Sequence, residues 1–265
     1  IYDPLMRKLS VTGKSIGVDL RQAIQRDDMA LNYRPIVRLV DKAISGFSVE
    51  GSWRHPIQGQ FTWSSLLPLA EREGLSTPLV LSVLERAAQQ MREWQSSNPD
   101  AAPDFVCVPI PVGGPFRSEL VNDVKAVIVR NQLAPGGLKL ASAEQVVAQN
   151  PEFAAQLMHR LRDVGASLAF DRFGAGSTWL GYLERMPVDT IRIEPSYVRG
   201  NGKGRRSLLL RSLVGLGHDL GLQVLAAGGE SDTDALDVVQ VGVEMAEGDL
   251  FGRTLAAPAE TRILQ

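Results

Sequence analysis

The sequence predicts an α/β fold, a TIM-like (β/α)8 barrel in which one strand at the start runs antiparallel to its neighbours. Three observations favour it: eight short apolar runs, amphipathic stretches between them from the second run onward, and a length of 265 residues, the usual size of one such barrel. The first two runs, 30–40 and 42–53, are separated only by a turn at Asp41. A parallel crossover needs about a dozen residues or more, so these two strands are expected to pair antiparallel.

Each remaining element follows from its apolar periodicity. Short apolar runs predict further strands at residues 105–110, 138–142, 167–170, 189–193, 222–226 and 242–245. Helical spacing predicts helices at 63–74, 77–95, 117–130, 143–149, 151–164, 178–185, 205–219 and 232–239. Residues 1–17 are interpreted as a linker or lead-in helix, and residues 18–265 as a single barrel domain, because no repeat or internal boundary interrupts the alternation.

The composition is that of an ordinary globular protein, with 44% apolar residues and a formal net charge of −2. This charge gives no indication of a nucleic-acid partner. The single cysteine, Cys107, cannot form an internal disulfide and fits a reducing compartment. Because the chain begins at Ile1, we expect a fragment of a longer protein, namely a cytoplasmic domain of a protein that is membrane-anchored elsewhere or has an upstream sensory domain.

Functional groups of such a barrel lie at the carboxyl ends of its strands. The residues predicted there are, in chain order, Arg34, Ser48, Glu50, Pro109, Ala141, Asp171, Arg172, Arg192, Glu194, Ala227 and Glu247. A metal-dependent phosphodiesterase would need several carboxylates at these ends, since Mg²⁺ prefers hard oxygen ligands. Pro109, Ala141 and Ala227 offer a metal no ligand, and Arg172 and Arg192 would compete for the acidic residues as ion-pair partners. The sequence therefore predicts no metal and no other cofactor.

Several segments resemble the motifs of EAL domains, the family of cyclic di-GMP phosphodiesterases. GFSVEGSWRHP (46–56) resembles G-x-E-A-L-x-R-W-x-H-P, and LAFDRFGAGSTWLGYL (168–183) resembles L-A-L-D-D-F-G-T-G-Y-S-S-L-x-Y-L. Further similar segments are NYRPIV (32–37), VCVPIP (106–111), LKLASAE (138–144), MPVDTIRIEPSYV (186–198), VLAAGGES (224–231) and AEGDLFGR (246–253). The resemblance covers about residues 18–258 in order, and it implies the EAL type of barrel.

Several of the positions at which this sequence differs from the motifs are those that carry the function in active relatives. In active relatives the metals are held by the Glu of E-A-L, the Asn of N-x-S, the Glu of L-x-L-E-I-T, the Asp of D-D-F-G and the Glu of A-E-G, while the Lys of K-I-D supports the attacking water. The corresponding residues here are Ser48, Pro109, Ala141, Asp171, Ala227 and Arg192. Only Asp171 remains as a ligand, and a two-metal site needs both ions held. The resemblance thus implies a degenerate EAL domain with no catalytic residues, which is not an enzyme.

Nucleotide binding without cleavage is a separate expectation. The family's nucleotide contacts fall on Arg34, Ser52 and Ala227, and all three differ from the family pattern. The candidate ligand-binding residues are the charged groups at the mouth: Arg34, Asp171, Arg172, Arg192, Glu194 and Glu230. The arginines could bind phosphates bidentately. Alternatively, Arg172 and Arg192 pair with acidic neighbours and fill the space that the metals occupy in relatives; we favour this second arrangement.

An interaction role is the remaining expectation. Trp179, Leu180 and Tyr182 follow a glycine-rich loop and would form an apolar patch suited to a homodimer. We therefore expect a catalytically inactive regulatory module that binds a protein partner, dimerises or transmits a signal from an upstream domain in a bacterial cyclic di-GMP pathway. The alternative is a non-hydrolysing receptor that binds cyclic di-GMP in a rewired pocket, which the altered contacts disfavour.

Overall fold

A computed structural model describes residues 16–110, 119–176, 180–199 and 204–256. Over these ranges ten strands lie in one hydrogen-bonded sheet. The strands are β1 Ala30–Arg38, β2 Ile44–His55, β3 Gly59–Phe61, β4 Phe105–Pro109, β5 Leu138–Ala143, β6 Ser167–Phe173, β7 Thr190–Ile193, β8 Gln223–Ala227, β9 Met245–Glu247 and β10 Leu255–Ala256.

Helices surround this sheet. The first, α1, covers residues 16–26. It is followed by α2 Trp63–Arg72, α3 Ser76–Ser97, α4 Leu120–Arg130, α5 Glu144–Val147, α6 Pro151–Asp163, α7 Leu180–Leu183, α8 Pro195–Val198, α9 Arg205–Asp219 and α10 Asp232–Gln240, with a 3-10 turn at Pro99–Ala101. Among the described helices, none combines the length and the apolar character that crossing a membrane requires.

Eight of the described strands close into a barrel in the order β1, β2, β4, β5, β6, β7, β8, β9 and back to β1. The barrel strands β2, β4, β5, β6, β7, β8 and β9 each pair in parallel with the next; on β4 and β5, for example, Pro109 lies opposite Ala141. Strand β1 is antiparallel to both neighbours, with Arg34 opposite Ser48 on β2 and Val37 opposite Ala246 on β9. The predicted barrel, including its antiparallel first strand, is confirmed.

The interior of the barrel is filled by apolar side chains, half of them Ala or Cys. They form a separate buried cluster consisting of Ile36, Phe105, Cys107, Ala141, Ala169, Leu225, Ala227 and Met245. The larger apolar core lies outside the barrel wall, where the helices cover the strands; Phe47 and Trp94 pack there in a tilted arrangement with ring centroids 4.6 Å apart. Successive side chains of each strand point alternately into the barrel and outward to the helices, and this alternation separates the two cores.

A buried lysine lies at the amino-terminal end of the barrel. Lys139 Nζ donates to Thr190 Oγ1 at 2.6 Å, lies 3.3 Å from Asp189 Oδ1, and sits 4.5 Å from the centroid of the Phe105 ring. Burial by itself would raise the pKa of Asp189, but the Lys139 charge and the hydrogen bond from the Leu168 N–H bring it below its ordinary value. This ion pair closes the end of the barrel opposite the mouth.

Element boundaries differ from the prediction in several places. The first hairpin turn is longer than one residue, because β1 already ends at Arg38 and Lys42 adopts a positive φ of 60° before β2 begins. The short elements β3, α8 and β10 were not predicted, since two to four residues show no periodicity. Residues 1–15 of the lead-in segment, the start of helix 117–130 and part of helix 178–185 fall outside the described ranges, whereas residues 16 and 17 begin α1.

Candidate ligand-binding site at the mouth of the barrel

Arg192, near the end of β7, occupies the centre of the mouth. Its Nη1 donates to Asp171 Oδ1 at 2.5 Å, and its Nε donates to Glu247 Oε1 at 2.9 Å. Nη2 also donates to Glu247 Oε1, and the Ser48 hydroxyl donates to the other oxygen of the same carboxylate. A single guanidinium thus joins β6 to β9 across the intervening strands.

This central cluster is largely shielded from water. The side chain of Glu247 is 2% exposed, that of Asp171 is 14% exposed and that of Arg192 is 20% exposed. Burial acts to lower the pKa of Arg192, but the charges of Asp171 and Glu247 outweigh it and raise that pKa well above its ordinary value. Arg192 is therefore a fixed positive charge between two carboxylates.

A second ion pair lies closer to solvent. Arg172 Nε donates to Glu194 Oε2 at 2.8 Å, and the Arg172 backbone N–H donates to Asp171 Oδ1 at 2.9 Å. The hydrogen bond to Glu194 is the main cause that raises the pKa of Arg172. Arg172 has a φ of 54°, and the β6–β7 register shifts between Phe170 and Phe173. The irregularity directs Arg172 outward, where its side chain is 55% exposed.

The other charged candidates lie at the rim, and each has a partner that sequence reasoning did not identify. Glu230 pairs with Arg199 at 2.8 Å, and Arg34 pairs with Asp249 at 2.8 Å. Arg199 follows the short helix α8, which has no sequence periodicity to reveal it. Glu247 was recognised only as a strand end, although that position was itself the signal that could have placed it in the site.

A cavity of about 460 Å³ opens beside the Arg192 cluster. Trp63, Pro109 and Ala141 form part of its apolar wall, and the Trp63 indole donates to the Pro109 carbonyl at 3.1 Å. Glu50 lines the same cavity, and its carboxylate makes no hydrogen bond or ion pair with the described residues; burial raises its pKa, while the charge of Arg192 opposes that effect. The cavity therefore combines an apolar wall, one carboxylate without a hydrogen-bond or ion-pair partner among the described residues, and arginines that are already paired.

The donor set does not fit a metal centre. Asp171 and Glu247 share the Arg192 guanidinium, so a divalent cation placed between them would meet a fixed positive charge. Over the described ranges, no group of three or more His, Cys, Asp or Glu side chains is arranged to hold a metal ion. The neighbouring strand ends carry Pro109 and Ala141, which have no side-chain donor.

The predicted ligand-binding residues therefore take part in four ion pairs: Arg192 with Asp171, Arg172 with Glu194, Arg34 with Asp249, and Glu230 with Arg199. The predicted dimer patch stays a prediction. Trp179 lies outside the described residues, and Leu180 and Tyr182 belong to α7 without a described side chain.

The fold and the motifs place this chain among known proteins. The family model for the EAL domain matches residues 18–254, and the chain belongs to this family. It is 29% identical over 249 residues to cyclic di-GMP phosphodiesterase NbdA of Pseudomonas aeruginosa, covering 93% of this chain and 31% of NbdA. It is 28% identical over 240 residues to the bifunctional diguanylate cyclase/cyclic di-GMP phosphodiesterase MucR of the same organism, covering 90% of this chain and 35% of MucR. The chain thus spans about a third of these two relatives.

Solved structures show the same barrel. The MucR phosphodiesterase in complex with cyclic di-GMP has a TM-score of 0.81 at 27% identity, covering 91% of this chain and 98% of that chain. The FimX EAL domain of Pseudomonas aeruginosa bound to cyclic di-GMP has a TM-score of 0.79 at 17% identity, covering 90% of this chain and 95% of that chain. At that lower identity the FimX likeness concerns the fold alone.

Proposed function

We propose that this EAL domain does not hydrolyse cyclic di-GMP and serves as a regulatory module that binds a protein partner or transmits a signal within a cyclic di-GMP signalling protein. One observation supports this above all: the Arg192 guanidinium lies between the carboxylates of Asp171 and Glu247. In the motif comparison, Ser48, Pro109, Ala141 and Ala227 stand at the positions where active relatives have metal ligands. None of these four residues has the carboxylate or amide side chain that the motif requires there.

The physical argument concerns the charge of the mouth. For two divalent ions to bind, Arg192 would have to leave both carboxylates and remain as a buried cation beside them, which costs several kcal/mol. The two carboxylates are also engaged as hydrogen-bond acceptors, so neither is available as a general base for an attacking water. Glu50 is the unpaired acid among the described residues of the cavity, and one carboxylate cannot hold two ions.

The second candidate is a receptor that binds cyclic di-GMP without cleaving it. The cavity of about 460 Å³ and the exposed guanidiniums of Arg172 and Arg199, which line it, favour this candidate. Against it, a phosphate would have to compete with Glu194 and Glu230, which already hold these two arginines at 2.8 Å. We therefore keep the interaction module as the main proposal.

A hydrolysis assay tests the main proposal. The protein is incubated with cyclic di-GMP and either Mg²⁺ or Mn²⁺, and the linear dinucleotide is quantified by reversed-phase chromatography, with the MucR phosphodiesterase domain as positive control. We expect product at the level of the protein-free blank. Product that accumulates in proportion to protein concentration would refute the proposal.

Calorimetric titration with cyclic di-GMP separates the module from the receptor. We expect no heat of binding up to about 100 μM ligand, with or without Mg²⁺. Saturable binding that is lost in Arg172→Ala and Arg199→Ala would instead establish the receptor. Val129→Ser, on the exposed face of α4, is the matched control because Val129 is 66% exposed and does not line the cavity.

A further inference from the structure

A groove lies on the outside of the barrel between strand β1 and helix α10, and we call it the β1–α10 groove. Its volume is about 1130 Å³, which is above the usual range of roughly 300–1,000 Å³ for small-molecule sites. The lining residues used below are Val37, Leu39, Ile44 and Phe251 on the floor, Leu236 and Val239 on α10, and Asp100 and Asp104 on the opposite wall.

Large apolar side chains are exposed along this groove. Leu236 is 62% exposed, Val239 is 54% exposed and Leu250 is 41% exposed. Leu236 and Val239 are three residues apart on α10, and Asp232 precedes them on the same face of the helix. Contiguous exposed apolar side chains framed by polar residues are typical of an interaction surface.

The charges at the rim are mainly negative. Asp100, Asp104 and Asp232 line the groove, and none of them has an ion pair within the described part of the chain. Arg38 is bound to Asp41 at 3.1 Å, which neutralises it. Of the cationic side chains that line the groove among the described residues, this leaves Lys42 unpaired. A complementary partner would therefore carry positive charge on both sides of an apolar surface.

The backbone of β1 argues against a partner that binds as an added strand. Strand β1 pairs with β2 along one edge and with β9 along the other. Beyond the last pairs, the Leu39 N–H donates to the Glu244 carbonyl at 2.9 Å, and the Arg38 N–H donates to the Ala43 carbonyl at 2.8 Å. Since neither edge is open, a partner must insert side chains, as a helix does in a groove.

We propose that the β1–α10 groove binds a basic amphipathic helix of a partner protein, with apolar residues at i, i+3, i+4 and i+7 entering the groove and Lys or Arg residues facing its acidic walls. This inference deepens the proposed function, on which it rests, by naming the surface and the chemistry of the partner.

Fluorescence anisotropy with designed peptides tests the groove. The probe is a labelled 15-residue amphipathic Leu/Lys helix, compared with a scrambled peptide of the same composition and with a Leu/Glu helix of the same pattern. We expect the Leu/Lys helix to bind at least about ten-fold more tightly than either comparison peptide. Equal binding of the scrambled peptide would overturn the proposal, because it would reduce the contact to general charge attraction.

Groove variants locate the binding. We expect the double variant L236S/V239S and the triple variant D100N/D104N/D232N each to bind the Leu/Lys helix at least ten-fold more weakly than wild type. The circular dichroism spectra of both variants should be unchanged. The matched controls are V129S and the triple variant E71Q/E152Q/E184Q, which alter equally exposed side chains away from the groove and should stay within two-fold of wild type. Equal losses in the controls would overturn the assignment to this groove.

Two further measurements separate competing explanations. If the wild-type protein sediments as a dimer and L236S/V239S as a monomer, a second copy covers the groove and the proposed partner is wrong; we expect the same mass for both. Hydrolysis of cyclic di-GMP by the same preparations would refute the proposed function while leaving the peptide result intact, so the two failures are distinguishable.

Discussion

Arg192 on β7 and Glu247 on β9 are bound to each other across the barrel mouth, with Arg192 Nε 2.9 Å from Glu247 Oε1, although 55 residues separate them in the chain. Because Glu247 is 2% exposed, Arg192→Met would leave a buried carboxylate without its cation. We expect a loss of about 3–5 kcal/mol in the free energy of unfolding, measured by urea denaturation at pH 7.

The double variant R192M/E247Q is the internal control for that experiment. It removes the carboxylate of Glu247, the more buried of the two that Arg192 pairs with, and leaves Asp171 unpaired, so it should recover part of the lost stability. If R192M alone lies within about 1 kcal/mol of wild type, the ion pair does not stabilise the mouth as the geometry indicates.

The left-handed backbone at Arg172 gives a second prediction. With a φ of 54°, this position suits Asn better than Ala, since Asn tolerates the left-handed region. Arg172→Asn and Arg172→Ala both remove the pair with Glu194, so their difference reports the backbone alone. We expect the Asn variant to be more stable than the Ala variant by about 1 kcal/mol in thermal unfolding. The opposite order would show that this conformation is not retained.

The Lys139–Asp189 pair predicts a pH-dependent effect. Lys139→Met should lower the free energy of unfolding at pH 7 by about 2 kcal/mol, less than for a fully buried pair because Asp189 is 41% exposed. The pKa of Asp189 is lowered in the folded state, so its contribution is present above its ordinary pKa of 3.8 and is lost as the pH falls below that value.

The stability difference between Lys139→Met and wild type should therefore shrink when urea unfolding is repeated at about pH 3. Lys125→Met on α4, which replaces an exposed lysine, is the matched control and should change stability by less than about 0.5 kcal/mol at either pH. A difference that stays constant with pH would contradict the assigned ion pair.

The thiol of Cys107 offers a probe of global unfolding. Cys107 is 4% exposed inside the barrel, and burial raises its pKa to about 12. Alkylation needs the thiolate, so the folded protein at pH 8 should react with iodoacetamide at least about a thousand-fold more slowly than the protein in urea. Mass spectrometry of the intact chain measures this rate. Complete modification of the folded protein within minutes would contradict the buried position.

The sequence alone predicted the barrel because each strand–helix unit carries its own periodicity. The hairpin character of the first two strands also followed from local information, namely the short connection at Asp41. The positions of Arg192 and Glu194 at a strand end were predicted for the same reason. These features depend on neighbours within a few residues, which a pattern can report.

The partners in the mouth could not be predicted in this way. Whether Arg192 reaches Glu247, Asp171 or both depends on strand register and on the width of the barrel, which no local pattern contains. Arg199 was missed because α8 has only four residues. The sequence pattern of α10 is that of an ordinary amphipathic helix. Only the structure shows that Asp100 and Asp104 line the same groove as its exposed apolar side chains.

The antiparallel first strand has a consequence for biosynthesis. β1 can form its hairpin with β2 as soon as both leave the ribosome. Its other edge stays unpaired until β9 has been synthesised, where Ala246 pairs with Val37. Until then the nascent chain exposes an unpaired strand edge on β1, and such edges recruit other chains. Closure is thus a late, long-range event, and a fragment that ends before β9 should aggregate where the closed domain does not.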